Sequence, residues 1–89
     1  MTEVIDYSIT YTLDNSVANI TGLVKVGDTE TEGRQIWIAA VGYNNRSPVG
    51  IRKWIYEADL QPETEYPFEI TLYSLGPRID QVLIFSELH

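Results

Sequence analysis

The sequence predicts an all-β protein, an antiparallel immunoglobulin-like β-sandwich of six to seven strands that forms one domain over residues 1–89. Three observations carry this reading. Apolar residues recur with period two almost throughout, and no helical stripe runs longer than a turn. Val, Ile, Thr, Tyr and Trp fill the ordered runs, and these residues suit a pleated, half-buried surface. Turn-forming clusters of Asp, Asn, Gly and Pro punctuate the chain about every ten residues, the spacing of short strands in a sandwich. A closed barrel is the competitor. Two strands that read as internal, beside two with one wet face, favour the sandwich.

The first strand spans about Val4–Leu13, with Ile5, Tyr7, Ile9, Tyr11 and Leu13 on one side and Asp6, Ser8, Thr10 and Thr12 on the other. "DNS" (Asp14–Ser16) then turns the chain, because Asp and Asn tolerate left-handed backbone and bond their own main chain. The second strand, about Val17–Val26, points Ala18, Ile20, Gly22, Val24 and Val26 one way and Asn19, Thr21 and Lys25 the other. Its apolar set is even-numbered and that of the first strand odd-numbered. The hairpin must therefore pair odd with even, as a two-residue turn within Asp14–Ser16 permits.

"GDTETEG" (Gly27–Gly33) is an acidic, exposed loop. The third strand, about Arg34–Tyr43, is apolar on both sides and belongs mid-sheet with both faces at least partly covered. After "NNRS", the fourth strand spans about Pro48–Glu57. A turn centred on Asn45–Arg46 pairs Tyr43 with Pro48, Ala40 with Ile51 and Trp37 with Trp54, which makes the two rings cross-strand neighbours. "DLQPETEYP" leads into a fifth strand, about Tyr66–Tyr73, with Phe68, Ile70 and Leu72 inward. "SLGPR" ends it. The last strand, about Ile79–Glu87, carries Val82 and Ile84 on one side and Leu83 and Phe85 on the other, and so also reads as internal.

Composition narrows the function. A formal charge of −7, from thirteen acids and six bases, opposes nucleic acid and anionic membrane surfaces as partners. No apolar run approaches the roughly 20 residues of a membrane span, so no membrane insertion is expected. Without cysteine there is no disulfide, zinc ribbon or thiol nucleophile. The opening "MTEVIDYSITY" lacks a secretory leader, which fits a cytoplasmic protein or a domain of a longer exported chain.

Catalytic, cofactor-binding and metal-binding residues are each expected to be none. His89 is the only histidine and the last residue, where a frayed end orients no general base. The serines have no base partner. The carboxylate pairs Glu30–Glu32 and Glu63–Glu65 read as solvated loops, with Asp28, Glu30 and Glu32 the best calcium candidates among them. A candidate binding face remains: Trp37, Tyr43, Arg52, Trp54 and Tyr56, whose aromatic and Arg composition is that of a hot spot. Its occupant is a protein partner, a second copy of the chain or, as the alternative function, a carbohydrate stacked on the rings. Trp37 is expected to be largely shielded in the core and Trp54 partly exposed.

Three segments also resemble a known family. "ITGLVKVGD" resembles a strand of the type v-x-G-x-V-x-N-x-G, and "IWIAAVGYNNRSPVG" an apolar strand ending in Tyr-Asp, a turn and Val-Gly. "LQPETEYPFEITL" resembles L-x-P-G-E-x-x-P-F-x-I-x-L. Together, over about Val17–Phe85, they are similar to the FxLYD family of immunoglobulin-like domains, with CARDB-type adhesion modules as neighbours. The chain departs from that pattern at Ala40–Asn44, which keeps only Tyr43 of Phe-x-Leu-Tyr-Asp, at Glu63 in place of Gly, and at Val26 in place of Asn. The resemblance implies a prokaryotic cell-envelope or secreted setting within a longer chain. It also implies a non-enzymatic role in spacing or protein–protein contact, with no catalytic residues.

Overall fold

The computed structural model describes all of residues 1–89. It contains six strands and no helix: β1 (Thr2–Tyr11), β2 (Val17–Val26), β3 (Ile36–Asn44), β4 (Ser47–Tyr56), β5 (Glu65–Tyr73) and β6 (Gln81–Leu88). They form two three-stranded antiparallel sheets, ordered β1-β2-β5 and β4-β3-β6. The sheets pack face to face as the predicted antiparallel β-sandwich. Inward residues alternate as expected on β2 (Ala18, Ile20, Val24, Val26), β3 (Ile36, Ile38, Ala40) and β5 (Phe68, Ile70, Leu72), and all are buried. Leu60 and Ile79, from the connections, join the same core cluster.

The first hairpin pairs odd with even, as Ile9 opposite Ile20 and Tyr11 opposite Ala18 show. Its loop is longer than expected. Thr12 N–H bonds Val17 O at 3.1 Å, which leaves Leu13–Ser16 as the turn. The Asp14 carboxylate organises that turn by accepting from Thr12 Oγ1 (2.9 Å), Ser16 N–H (3.1 Å) and Ser16 Oγ (2.8 Å). These bonds, the Ser16 hydroxyl first, hold the Asp14 pKa below the ordinary carboxylate value.

A bulge in β1 shifts the register between Ile5 and Ser8, at Asp6 (φ 49°) and Tyr7. Before it Val4 lies opposite Val24, and after it Ile9 lies opposite Ile20, so the inward set changes from even to odd. Ile5 therefore lies opposite Leu23 on the outer side, against the expected pattern, and Tyr7 is exposed. Gly22 makes room for the bulge. A Cβ there would lie 2.7 Å from the Tyr7 Cβ and 3.0 Å from the Phe68 ring.

The β3–β4 turn is Asn45–Arg46, with φ of 50° and 70°. Positive φ at both central residues is the signature of a turn whose twist matches the strands. Tyr43 pairs with Pro48 as predicted, but the next pair is Gly42 with Gly50, so Val49 is an extra residue. Val49 is buried, and its carbonyl accepts Leu75 N–H at 2.8 Å. Gly50 backs directly onto the Tyr73 carbonyl, where no side chain fits. The bulge thus fastens the β4 edge to the end of β5. Everything beyond it moves by one residue, and the predicted pairing is corrected: Trp37 faces Ile55, Ile38 faces Trp54 and Ala40 faces Arg52.

β3 is internal, as predicted. β6 is not: it lies at the edge, paired only with β3. The predicted frayed end is also corrected, because His89 exchanges two backbone bonds with Gln35, His89 N–H to Gln35 O at 2.8 Å and the reverse at 2.6 Å. At one pole Ile79 N–H bonds Asn15 O at 2.8 Å; towards the other the Thr2 and Ser86 hydroxyls meet at 2.8 Å.

Candidate interaction face

The outer faces of the two sheets differ in kind. On β1-β2-β5 the outward residues are mostly polar. Ser8 Oγ lies 3.3 Å from Thr21 Oγ1, Thr71 Oγ1 donates to Asn19 Oδ1 at 2.7 Å, and Lys25 sits opposite Glu65. On β4-β3-β6 they are mostly apolar. The registers set three rows across the strands: Ile55–Trp37–Glu87, Lys53–Ala39–Phe85 and Ile51–Val41–Leu83. Ile51 is 70% exposed, Phe85 53%, and Ile55 and Leu83 39% each. Tyr43, half-buried, closes the Ile51 end of β3.

Trp37 closes the other end. Its Nε1–H donates to Gln35 Oε1 at 2.8 Å, and Gln35 Nε2 donates to Glu57 Oε1 at 2.8 Å. The ring stacks on His89, with centroids 3.9 Å apart and planes 20° from parallel, and Lys53 Nζ lies 4.2 Å from its centroid. His89 Nε2 is 3.0 Å from Glu87 Oε1. The charges of this face thus gather around Trp37 and leave Val41, Ile51, Leu83 and Phe85 without a charged partner on it.

The five residues predicted to form a binding face divide. Trp37 and Tyr43 lie on the outer face. Arg52, Trp54 and Tyr56 have the opposite parity, because the Val49 bulge intervenes. Trp54 is half-buried against the core, 6.3 Å from Phe68 and 5.4 Å from Tyr56 between ring centroids, and Tyr56 in turn packs on Tyr66 at 5.1 Å. Arg52 is exposed where β4 meets β5, beside Trp54 and Glu69. Both rings are half-buried: Trp54, partly exposed as expected, packs against the core, whereas Trp37 stands on the outer face and is not shielded within the core as expected. Neither ring is an open platform for a sugar, because Trp37 carries His89 and Lys53 and Trp54 is turned inward.

Ile51, Ile55, Leu83 and Phe85 were absent from the predicted face. For Leu83 and Phe85 the signal was present in β6, which is apolar on both sides although it lies at a sheet edge. A hollow of about 560 Å³ lies elsewhere, between the acidic loop and residues 57–62, and includes Glu30, Glu32, Arg34, Glu57 and Asp59. No three acidic or histidine side chains converge there or elsewhere to hold a metal ion. The loop is more anchored than expected: Thr31 is buried, and its hydroxyl donates to Leu60 O at 2.8 Å. Comparison with family models, with curated proteins and with solved structures finds no match for this chain.

Proposed function

We propose that the protein is a non-enzymatic contact module that binds a protein surface through the outer face of β4-β3-β6, as part of a cell-envelope or secreted chain. One observation carries the reading. A chain of net charge −7 gathers Ile51, Ile55, Leu83 and Phe85 on one face, while the opposite face is mostly polar. A contiguous apolar patch of this kind is rare on a monomer and marks an interaction site. Its composition, aromatic and aliphatic with charge at one end, is that of an interface core with a polar rim. The similarity to FxLYD domains supports the envelope setting.

A photo-activatable cross-linking residue placed at Leu83, with a control at Thr21 on the polar face, tests the reading in cells that make the protein. Protein-sized adducts from Leu83 and none from Thr21 are expected. Equal adducts from both positions, or none from Leu83, would remove the proposal.

A further inference from the structure

We infer that the occupant of the β4-β3-β6 face is a second copy of the chain, docked about a two-fold axis that runs along β3. The inference rests on the contact reading above and adds the identity of the partner. A face that binds its own copy must be self-complementary under the operation that joins the two. Two arrangements bring this face onto itself with strands aligned, an axis along β3 or an axis across it.

The charges choose between them. An axis across β3, near Ala39, lays β4 over β4 and brings Lys53 against Lys53. The axis along β3 lays β4 of one copy over β6 of the other. Lys53 then sits over the row of Phe85 and one row from Glu87, roughly 7 Å along the strand, within reach of a lysine side chain. Lys53 already leans that way, since its ammonium lies over Trp37, the β3 neighbour of Glu87. Two symmetric Lys53–Glu87 pairs form. The only basic and acidic strand residues on the face partner each other, where like charges would otherwise oppose docking.

The area agrees. On the axis Ala39 meets Ala39, flanked by Trp37 over Trp37 and Val41 over Val41. Ile51 meets Leu83 on one side and Leu83 meets Ile51 on the other. A three-stranded face of this length offers roughly 600 Å² per copy, at the low end of what a specific dimer buries. The same geometry explains the sequence. β3 and β6 are apolar on both sides because one side meets the core and the other meets the second copy.

Sedimentation velocity of the full chain, from about 5 to 500 µM, tests this, with a monomer–dimer equilibrium of roughly 10–100 µM expected. The double variant Ile51→Ser with Phe85→Ser should weaken association by about 100-fold or more. Lys53→Glu and Glu87→Lys should each weaken it about tenfold, and the two together should restore it. One of these single variants makes the chain more acidic and the other less, so a net-charge effect would move them in opposite directions. A wild-type chain that stays monomeric throughout overturns the inference. So does association untouched by Ile51→Ser with Phe85→Ser, which assigns it to pairing along the open β6 edge, and so does a charge swap that fails to restore. Monomeric behaviour together with Leu83 adducts to a different protein overturns the second copy and leaves the contact reading standing.

Discussion

At the scale of single residues, the tryptophans separate most sharply. Trp54 packs among Phe68 and Tyr56 against the core, so Trp54→Ala should lower unfolding free energy by about 2–4 kcal/mol. Trp37 stands on the outer face, and Trp37→Ala should cost the monomer under about 1 kcal/mol; urea melts of the two variants check both. Asp14 makes a prediction with a sign. Its pKa is lowered in the folded state by Ser16 and Thr12, so its contribution is present above the unfolded-state pKa and is lost as pH falls through the folded one. Wild type should exceed Asp14→Asn in urea midpoint at neutral pH, and the gap should close in acid. A gap that does not depend on pH would show that the carboxylate charge is irrelevant to the turn. The turn role of Asp14 was legible in "DNS", and its carboxylate does bond the Ser16 N–H; the separate roles of the tryptophans were not. The two tryptophans look alike in the sequence, and only the position of a bulge tells them apart.

At the scale of elements, the strands were legible and their fine register was not. β2 and β5 alternate without interruption, and their inward residues are those the pattern predicts. β1 and β4 each carry an extra residue, and a period-two reading continues through a bulge on the wrong parity. Gly22 and Gly50 mark both places, since each lets backbone or ring approach where a Cβ would clash. Gly50→Ala should cost about 2 kcal/mol or more, because its methyl would strike the backbone of β5 rather than a movable side chain. Equal urea midpoints for Gly50→Ala and wild type would mean that the β4–β5 seam yields freely. The turn itself was predictable, since "NNRS" supplies an Asn for a left-handed position and Arg46 accepts the second.

At the scale of the whole molecule, sandwich architecture followed from alternation and turn spacing, while the interacting surface did not follow from its aromatic residues. Apolar residues on both sides of a strand predict a place inside the sheet, and for β6 that expectation puts inside the protein a surface that faces out. Sequence pattern reports that a side chain seeks cover; it does not say which chain supplies the cover. The contact of Thr2 with Ser86 has a consequence of another sort. β1 and β6 leave the body side by side at one tip of a molecule 41 Å long and 19 by 18 Å across. Tension applied through both ends would therefore unzip the edge strands bond by bond instead of shearing a whole ladder at once. Single-molecule pulling through residues 1 and 89 should give a low rupture force. Pulling through residues 1 and 73, the ends of two strands flanking β2 in one sheet, samples a different direction and gives the comparison. Such a unit, threaded into a longer polymer, hangs as a pendant and adds little to its contour.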